Sequence, residues 1–288
     1  MNSAEQAGSK AATLIEALPY IRSYRNQVVV VKIGGAALDD ERLARIVAED
    51  LALMALVGIR LVVVHGGGPQ VSEAMTDAGL EPTFVGGLRV TDEKAMELVR
   101  RVLLGSINSA LVSRLQSTGL NPVGLSGSDG GLLEAEQIGG PEGQDLGRVG
   151  GVVSVRPDLA NSLLDDGYTP VIASIAPGMD GNPLNVNADA VAGAIAAALG
   201  ATKLVFLTNV EGLYRDLGDS GSLVSELKLE ELKAMVSDLS SGMRPKAEAA
   251  VTALASGVGK VHILDGRVEH ALLLEVFTEE GIGTQVLP

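Results

Sequence analysis

The sequence predicts an α/β protein with a mainly parallel sheet covered by helices on both faces. Three observations predict it. Short apolar runs read as fully buried strands, amphipathic helical stretches alternate with them, and two strands end in glycine turns from which a helix restarts. The 288 residues leave room for one large unit or two lobes around a substantial core. Only 2% of the chain is aromatic, so that core has to be built from Ala, Val, Leu and Ile.

Ala11 to Tyr24 carries Leu14, Ile15, Leu18 and Ile21 at near-helical spacing, with Pro19 expected to bend the segment. Glu16, Pro19 and Arg22 interrupt its apolar residues, so residues 1–27 read as neither a signal peptide nor a transit sequence. Val28 to Ile33 reads as a strand that runs into Gly34-Gly35. Leu43, Ile46, Val47, Leu51 and Met54 form one helical stripe that stops near Gly58, and the strand Leu61 to Val64 then ends in His65-Gly66-Gly67-Gly68. The next helix carries Val71, Met75 and Ala78 and stops at Gly79. Thr91 or Asp92 can cap a helix bearing Met96, Val99 and Leu103.

Between Gly127 and Gly151 the periodicity is lost, which predicts a surface excursion of hairpin type. Pro157 suits the first turn of a helix with Leu159, Leu163 and Leu164, and Pro170 to Ser174 and Lys203 to Leu207 read as further buried strands. Asn187 to Leu199 is an alanine-rich helix closed by Gly200, where the lobe boundary is placed: an N-terminal segment 1–27, a first lobe 28–199 and a second lobe 200–288. The second lobe should hold helices about Leu229 to Val236 and Pro245 to Ala255, and strands near Val261 and Gln285.

Composition narrows the chemistry. A formal net charge of −14 repels nucleic acid and anionic membrane surfaces as partners, and no segment approaches a membrane-spanning run. With no cysteine there is no disulfide or thiol catalysis, and three histidines without an H-E-x-x-H spacing leave little for a zinc site, so no protein-held metal is expected. The expected setting is cytoplasmic. The G-x-G-x-x-G fingerprint fails at Val71 and again at Val286, and no G-x-x-x-x-G-K-[ST] loop is present.

What remains is anion chemistry. A strand that stops in glycines leaves bare backbone N–H groups at a helix start, and two such turns suit a phosphate held from two sides while it moves. Gly34-Gly35 alone could be a tight structural corner, but Lys32 at the end of an apolar strand is costly to bury without an anionic partner. Gly66-Gly67-Gly68 forms an anion nest, beside which His65 reads as a hydrogen-bonded strand terminus in preference to a catalyst. Asn185, Asn187 and Asp189 stand at alternate positions before the alanine-rich helix; one is an ordinary cap, and in an extended segment all three point the same way. Lys246 lies in a first helical turn, where the dipole disfavours a cation and a phosphate partner explains it. Arg89, after Gly86-Gly87, is either a solvated loop charge or a fork that grips a carboxylate.

Lys32-Ile33-Gly34-Gly35, His65-Gly66-Gly67-Gly68-Pro69-Gln70, Gly87-Leu88-Arg89-Val90-Thr91, Asn185-Val186-Asn187-Ala188-Asp189 and Gly242-Met243-Arg244-Pro245-Lys246 together resemble the amino acid kinase family, from about Val28 to the chain end. The arginine motif and the last lysine narrow the resemblance to the branch that phosphorylates N-acetyl-L-glutamate. The resemblance implies an open αβα sandwich and transfer of the ATP γ-phosphoryl group to the side-chain carboxylate of that substrate in arginine biosynthesis. It implies Mg²⁺ carried by the nucleotide, and Lys32 and Lys246 acting on the moving phosphoryl group with Asp189 orienting both. Gly67, Gly68, Arg89, Asn185 and Asn187 would hold the acyl substrate, with Gly34, Gly35, Gly66, Thr208 and Asn209 on the phosphate and nucleotide side. Two positions depart from the family pattern: Ser128 stands for a usual Lys, and Asn209 for a frequent Asp.

The N-terminal helix resembles the kinked one of arginine-inhibited relatives, which implies a homohexamer, a trimer of dimers, with an L-arginine inhibitor beside Tyr20, Lys203, Glu275 and Gly281. Rival readings are a related carboxylate kinase, for example one acting on a carrier-bound aminoadipate, and a non-catalytic amino-acid sensor. Keeping Lys32, Asp189 and Lys246 together argues against the sensor.

Overall fold

The computed structural model describes residues 3–216, 219–240, 242–278 and 281–288, with the backbone alone for 3–11, 13 and 220; the first two residues of the 1–27 segment lie outside the described residues. Helix α1 (Ser3–Tyr24) starts earlier than its apolar stripe suggests and runs on past Pro19, so the expected bend does not end it. Strand β1 (Val28–Ile33) enters the first glycine turn, and the chain returns through α2 (Ala36–Asp39) and α3 (Glu41–Leu56) to β2 (Arg60–His65). Asp40 caps α3 by accepting the Leu43 N–H at 2.9 Å. The second glycine turn opens α4 (Gly68–Asp77), with Pro69 in its first turn where the missing N–H costs nothing.

A small hairpin, β3 (Phe84–Val85) and β4 (Leu88–Arg89), leads into α5 (Glu93–Arg100). Asp92, not Thr91, is the cap of α5, accepting from Ala95 N at 2.7 Å. A π-helical stretch over Arg101–Asn108 joins α5 to α6 (Ser109–Ser117), which precedes β5 (Pro122–Ser126). The aperiodic excursion is a hairpin: β6 (Leu133–Gln137) pairs antiparallel with β7 (Val149–Val155). Then come α7 (Asp158–Asp165), β8 (Thr169–Ala173), β9 (Ile175–Pro177), β10 (Pro183–Val186) and the alanine-rich α8 (Ala188–Ala198). Beyond it lie β11 (Lys203–Thr208), a short hairpin of β12 (Leu213–Tyr214) and β13 (Leu223–Val224), β14 (Glu226–Lys228), α9 (Leu229–Met235), α10 (Arg244–Ala255), β15 (Val261–Asp265), α11 (Ala271–Phe277) and β16 (Thr284–Leu287).

One sheet crosses the molecule in the order β14-β16-β15-β11-β1-β2-β8-β5, and every neighbouring pair is parallel except β15 with β16. Side chains alternate between its faces. Val28 and Val30 join Leu204, Phe206 and the alanines of α8 and α10 in one apolar layer. Val29, Val31 and Ile33 join Leu51, Met54, Leu115 and Leu272 from α3, α6 and α11 in the other. Both faces are therefore covered, which is why the strands read as continuous apolar runs, and the result is an αβα sandwich.

Strand β1 sits between β2 and β11, so the chain leaves it toward one side first and comes back on the other. The carboxyl ends of these three strands meet at that reversal, the place where open α/β sheets leave a crevice. All three ends carry the polar or glycine residues singled out in the sequence: Lys32, His65 and Thr208.

Candidate active site

The first cleft, of about 300 Å³, lies at the ends of β1 and β2 and is lined by both glycine turns, Arg89, Asn185, Asn187 and Asp189. A second cleft, of about 810 Å³, shares Lys32, Gly34 and Gly35 with it and continues past Thr208, Asn209, Tyr214 and Met243 to Lys246. The two meet at one cluster of charge. Lys32 Nζ lies 2.8 Å from Asp189 Oδ1, and Lys246 Nζ lies 3.0 Å from Asp189 Oδ2. Asp189 is only 4% exposed. Burial pushes its carboxyl up, but the fields of Lys32 and then Lys246, with their hydrogen bonds, outweigh that and hold it below its ordinary range. Two ammonium groups thus share one carboxylate, leaving a net positive charge where the clefts join.

The glycines shape this junction. A Cβ on Gly34 would come within 2.7 Å of Lys32 Nζ, so a side chain there would push the ammonium group from its place over the turn. Gly35 has φ +61, and Asn209 Oδ1 accepts the Ala36 N–H at 2.7 Å, pinning the turn to the end of β11. Asn209 is thus occupied in holding the turn while it lines the larger cleft. Ser128, the other departure from the family pattern, is exposed and lines neither cleft.

Arg89 is not a solvated loop charge. It is 7% exposed, its Nη2 donates to Gly68 O at 2.7 Å and to Ser72 Oγ at 2.8 Å, and its guanidinium lies 4.6 Å from the centre of the Phe84 ring. Burial draws its pKa below the ordinary arginine value. Among the described residues no carboxylate pairs with it, so a buried cation faces the cleft without a protein counter-ion, an environment suited to an anion.

One expectation needs correcting. Asn185, Asn187 and Asp189 do line one wall, but not as an extended alternating row. Asn185 is the next-to-last residue of β10 and donates to Thr91 Oγ1 at 3.2 Å. Asn187 turns its Oδ1 onto the N–H groups of Asp189 and Ala190, at 2.8 and 3.1 Å, as the cap of α8. Asp189 reaches the lysines from the first helical turn, so the helix start, and not strand alternation, aims it.

Tyr20, Lys203, Glu275 and Gly281 fall together elsewhere, lining a cleft of about 780 Å³ beside α1 and α11. Lys203 Nζ, almost fully buried, lies 3.6 Å from Glu275 Oε1 and 5.1 Å from the centre of the Tyr24 ring. His262 Nδ1 lies 2.5 Å from the same Glu275 oxygen, and the Ile282 N–H donates to Oε2 at 3.0 Å. Burial, more than offset by these partners, leaves the Glu275 carboxyl below its usual range, while burial and Glu275 push the Tyr24 hydroxyl up to about 12. Tyr24 and His262 were not singled out by sequence; a tyrosine at a helix end and a histidine inside a strand carry no signal of their own.

The model of the amino acid kinase family matches residues 27–265. An acetylglutamate kinase from Symbiobacterium thermophilum is 49% identical over 292 residues, covering 98% of this chain and 99% of that one. Among solved structures, N-acetylglutamate synthase from Neisseria gonorrhoeae complexed with coenzyme A and N-acetyl-glutamate superposes with a TM-score of 0.86 at 30% identity, over 96% of this chain and 63% of that one. The same synthase complexed with coenzyme A and L-arginine gives a TM-score of 0.82 at 28% identity, over 96% and 65%. This chain therefore spans just under two thirds of the length of those synthase chains. Fold and sequence together define an ATP-dependent kinase, and the chain belongs to the amino acid kinase family. Within that family its near full-length likeness is to the acetylglutamate kinases.

Proposed function

We propose that this chain transfers the γ-phosphoryl group of ATP to the side-chain carboxylate of N-acetyl-L-glutamate, giving N-acetyl-L-glutamyl 5-phosphate for arginine biosynthesis. The observation that carries the reading is the Lys32–Asp189–Lys246 cluster at the junction of two clefts, one small and holding an uncompensated arginine, one large enough for a nucleotide. The relatives are named for this substrate, which does not favour a carrier-bound acceptor.

A carboxylate with an ordinary pKa near ~4.3 is already ionised at neutral pH, so no general base is required. The demand is electrostatic: two anions have to approach, and the transferring group has to be stabilised between them. Lys32 and Lys246 meet it from the two clefts, with the amides of both glycine turns, and Asp189 keeps the ammonium groups in place. Arg89 takes the α-carboxylate, beside Gly67, Gly68, Asn185 and the Asn187 amide group. Residues 28–199 serve the acyl substrate, and residues 200–288, with Thr208 and Asn209, the nucleotide. Asp189 is engaged by two lysines, and Mg²⁺ is assigned to the ATP phosphates. The setting is assigned as cytoplasmic.

Steady-state ADP release tests the acceptor. Turnover should depend on N-acetyl-L-glutamate and be far slower with unacetylated glutamate; equal rates with the two would remove the acyl-specific assignment. Arg89→Ala should raise the KM for N-acetyl-L-glutamate by about 10- to 100-fold, the scale of a hydrogen bond to a charged group. A lower kcat at unchanged KM would contradict its binding role.

The cleft formed by Tyr20, Lys203, Glu275 and Gly281 we assign to an L-arginine inhibitor, because it opposes carboxylates to cations within reach of one amino acid. Tyr20 and Ile21 of α1 pack on the core beside it, while Leu14 and Ile15 are 72% and 69% exposed, an apolar stripe suited to a second subunit. We assign that stripe to the assembly of dimers into a hexamer. Deleting residues 1–25 should yield active dimers that no longer respond to arginine. A truncated protein that stays hexameric, or remains fully inhibited, would make α1 a packing element only.

A further inference from the structure

The second glycine turn is anchored from beneath by a buried pair that the assignments above leave unused. His65 is 0% exposed at the end of β2, and its Nδ1 lies 3.0 Å from Gly66 O. Asn108, 6% exposed, places its Nδ2 at 2.9 Å from both Val171 O and His65 Nε2. Val171 O can only accept, so the Asn108 amide must present its NH₂ there, and its second hydrogen goes to Nε2. Nε2 is then the acceptor nitrogen, which puts the imidazole proton on Nδ1 and makes Nδ1–H the donor to Gly66 O.

Asn108 reaches this position from the end of the π-helical stretch, a rare geometry often kept where a side chain has to be aimed. Its Oδ1 rests where a Cβ on residue 124 would stand, so Gly124 of β5 makes room for it. The consequence lies in the peptide between Gly66 and Gly67. In a trans peptide the carbonyl and the N–H point in opposite directions, so holding Gly66 O toward the buried ring turns the Gly67 N–H away from it, and Gly67 lines the first cleft.

We propose that His65 and Asn108 are positioning residues for the kinase reaction, holding the Gly66–Gly67 peptide with its N–H toward the transferring phosphoryl group. This rests on the acceptor reading given above. Burial, and secondarily the nearby Lys32, bring the His65 pKa down to about 4, so the ring stays neutral at working pH and never exchanges its donor for a charge. A preset amide of this kind acts most strongly on charge that develops during transfer.

The test compares His65→Leu, His65→Asn and Asn108→Ala. Leucine fills the space without a donor, whereas Nδ2 of asparagine is attached to Cγ as Nδ1 of histidine is and can donate to Gly66 O. His65→Leu and Asn108→Ala should each lower kcat about tenfold or more with the KM for ATP unchanged, and His65→Asn should recover most of the loss. Thermal unfolding checks that each variant is folded. Wild-type kcat in a folded His65→Leu or Asn108→Ala protein overturns the proposal, as does a His65→Asn protein as impaired as His65→Leu. Should the leucine variant not fold, Asn108→Ala decides alone. Absence of N-acetyl-L-glutamate-dependent turnover in the wild type would overturn the acceptor reading and this proposal together, whereas normal wild-type turnover with unaffected variants overturns this proposal only.

Discussion

Lys32→Ala and Lys246→Ala should each lower kcat by about 10²-fold or more, with much smaller effects on either KM, because each ammonium acts mainly on charge present in the transition state. Lys32 approaches from the end of β1 and Lys246 from the first turn of α10, so they face the transferring group from different elements. Neither can replace the other. Both also bond the same carboxylate, so the losses in the double variant should not add: with one lysine gone, Asp189 pairs more closely with the survivor and draws it from the phosphate. A single variant that retained near wild-type kcat would remove that lysine from the chemistry.

Asp189→Ala should combine a loss of activity with a loss of stability. It leaves Lys32, at 8% exposure, without its counter-charge, and breaking a buried ion pair by deleting one partner costs about 3–5 kcal/mol. Activity should fall by about 10²-fold or more because both ammonium groups lose their common anchor and repel one another. The Asp189 pKa is lowered on folding, so its contribution to stability is complete above the ordinary carboxylate range and is lost only as pH falls through the depressed folded value. Stability measured by denaturant at pH 7 should therefore drop in the variant, and the difference from wild type should shrink only in strong acid. An unchanged melting temperature with full kcat would show that the two lysines need no shared anchor.

The sheet was legible because its strands are buried on both faces and break at glycine: β1, β2, β8 and β11 lie within a residue or so of the apolar runs that announced them. Helix α8 was legible from its asparagine cap and closing glycine. Helix α11 was not, since it is short and starts from His270 in a left-handed conformation that no glycine or asparagine signals. The charged centre could be read from a lysine at a strand end and another at a helix start, because both are costly places for a cation. The role of Asn187 was half legible: its position before a helix announced a cap, but the alternation argument extended a strand through residues that the helix had already taken. Asn108 gave no sign at all: nothing in the run Arg101–Asn108 marked it as π-helical, and the stretch shows itself only in where it delivers a side chain.

The most direct test of the central claim is to trap the product in hydroxylamine with ATP, Mg²⁺ and N-acetyl-L-glutamate, and to measure hydroxamate against ADP. The expected result is one hydroxamate for each ADP, formed only when the acylated substrate is present and suppressed in parallel in the Lys32→Ala and Lys246→Ala proteins. ADP released without hydroxamate, or hydroxamate formed as readily from unacetylated glutamate, would contradict phosphoryl transfer to the N-acetyl-L-glutamate carboxylate.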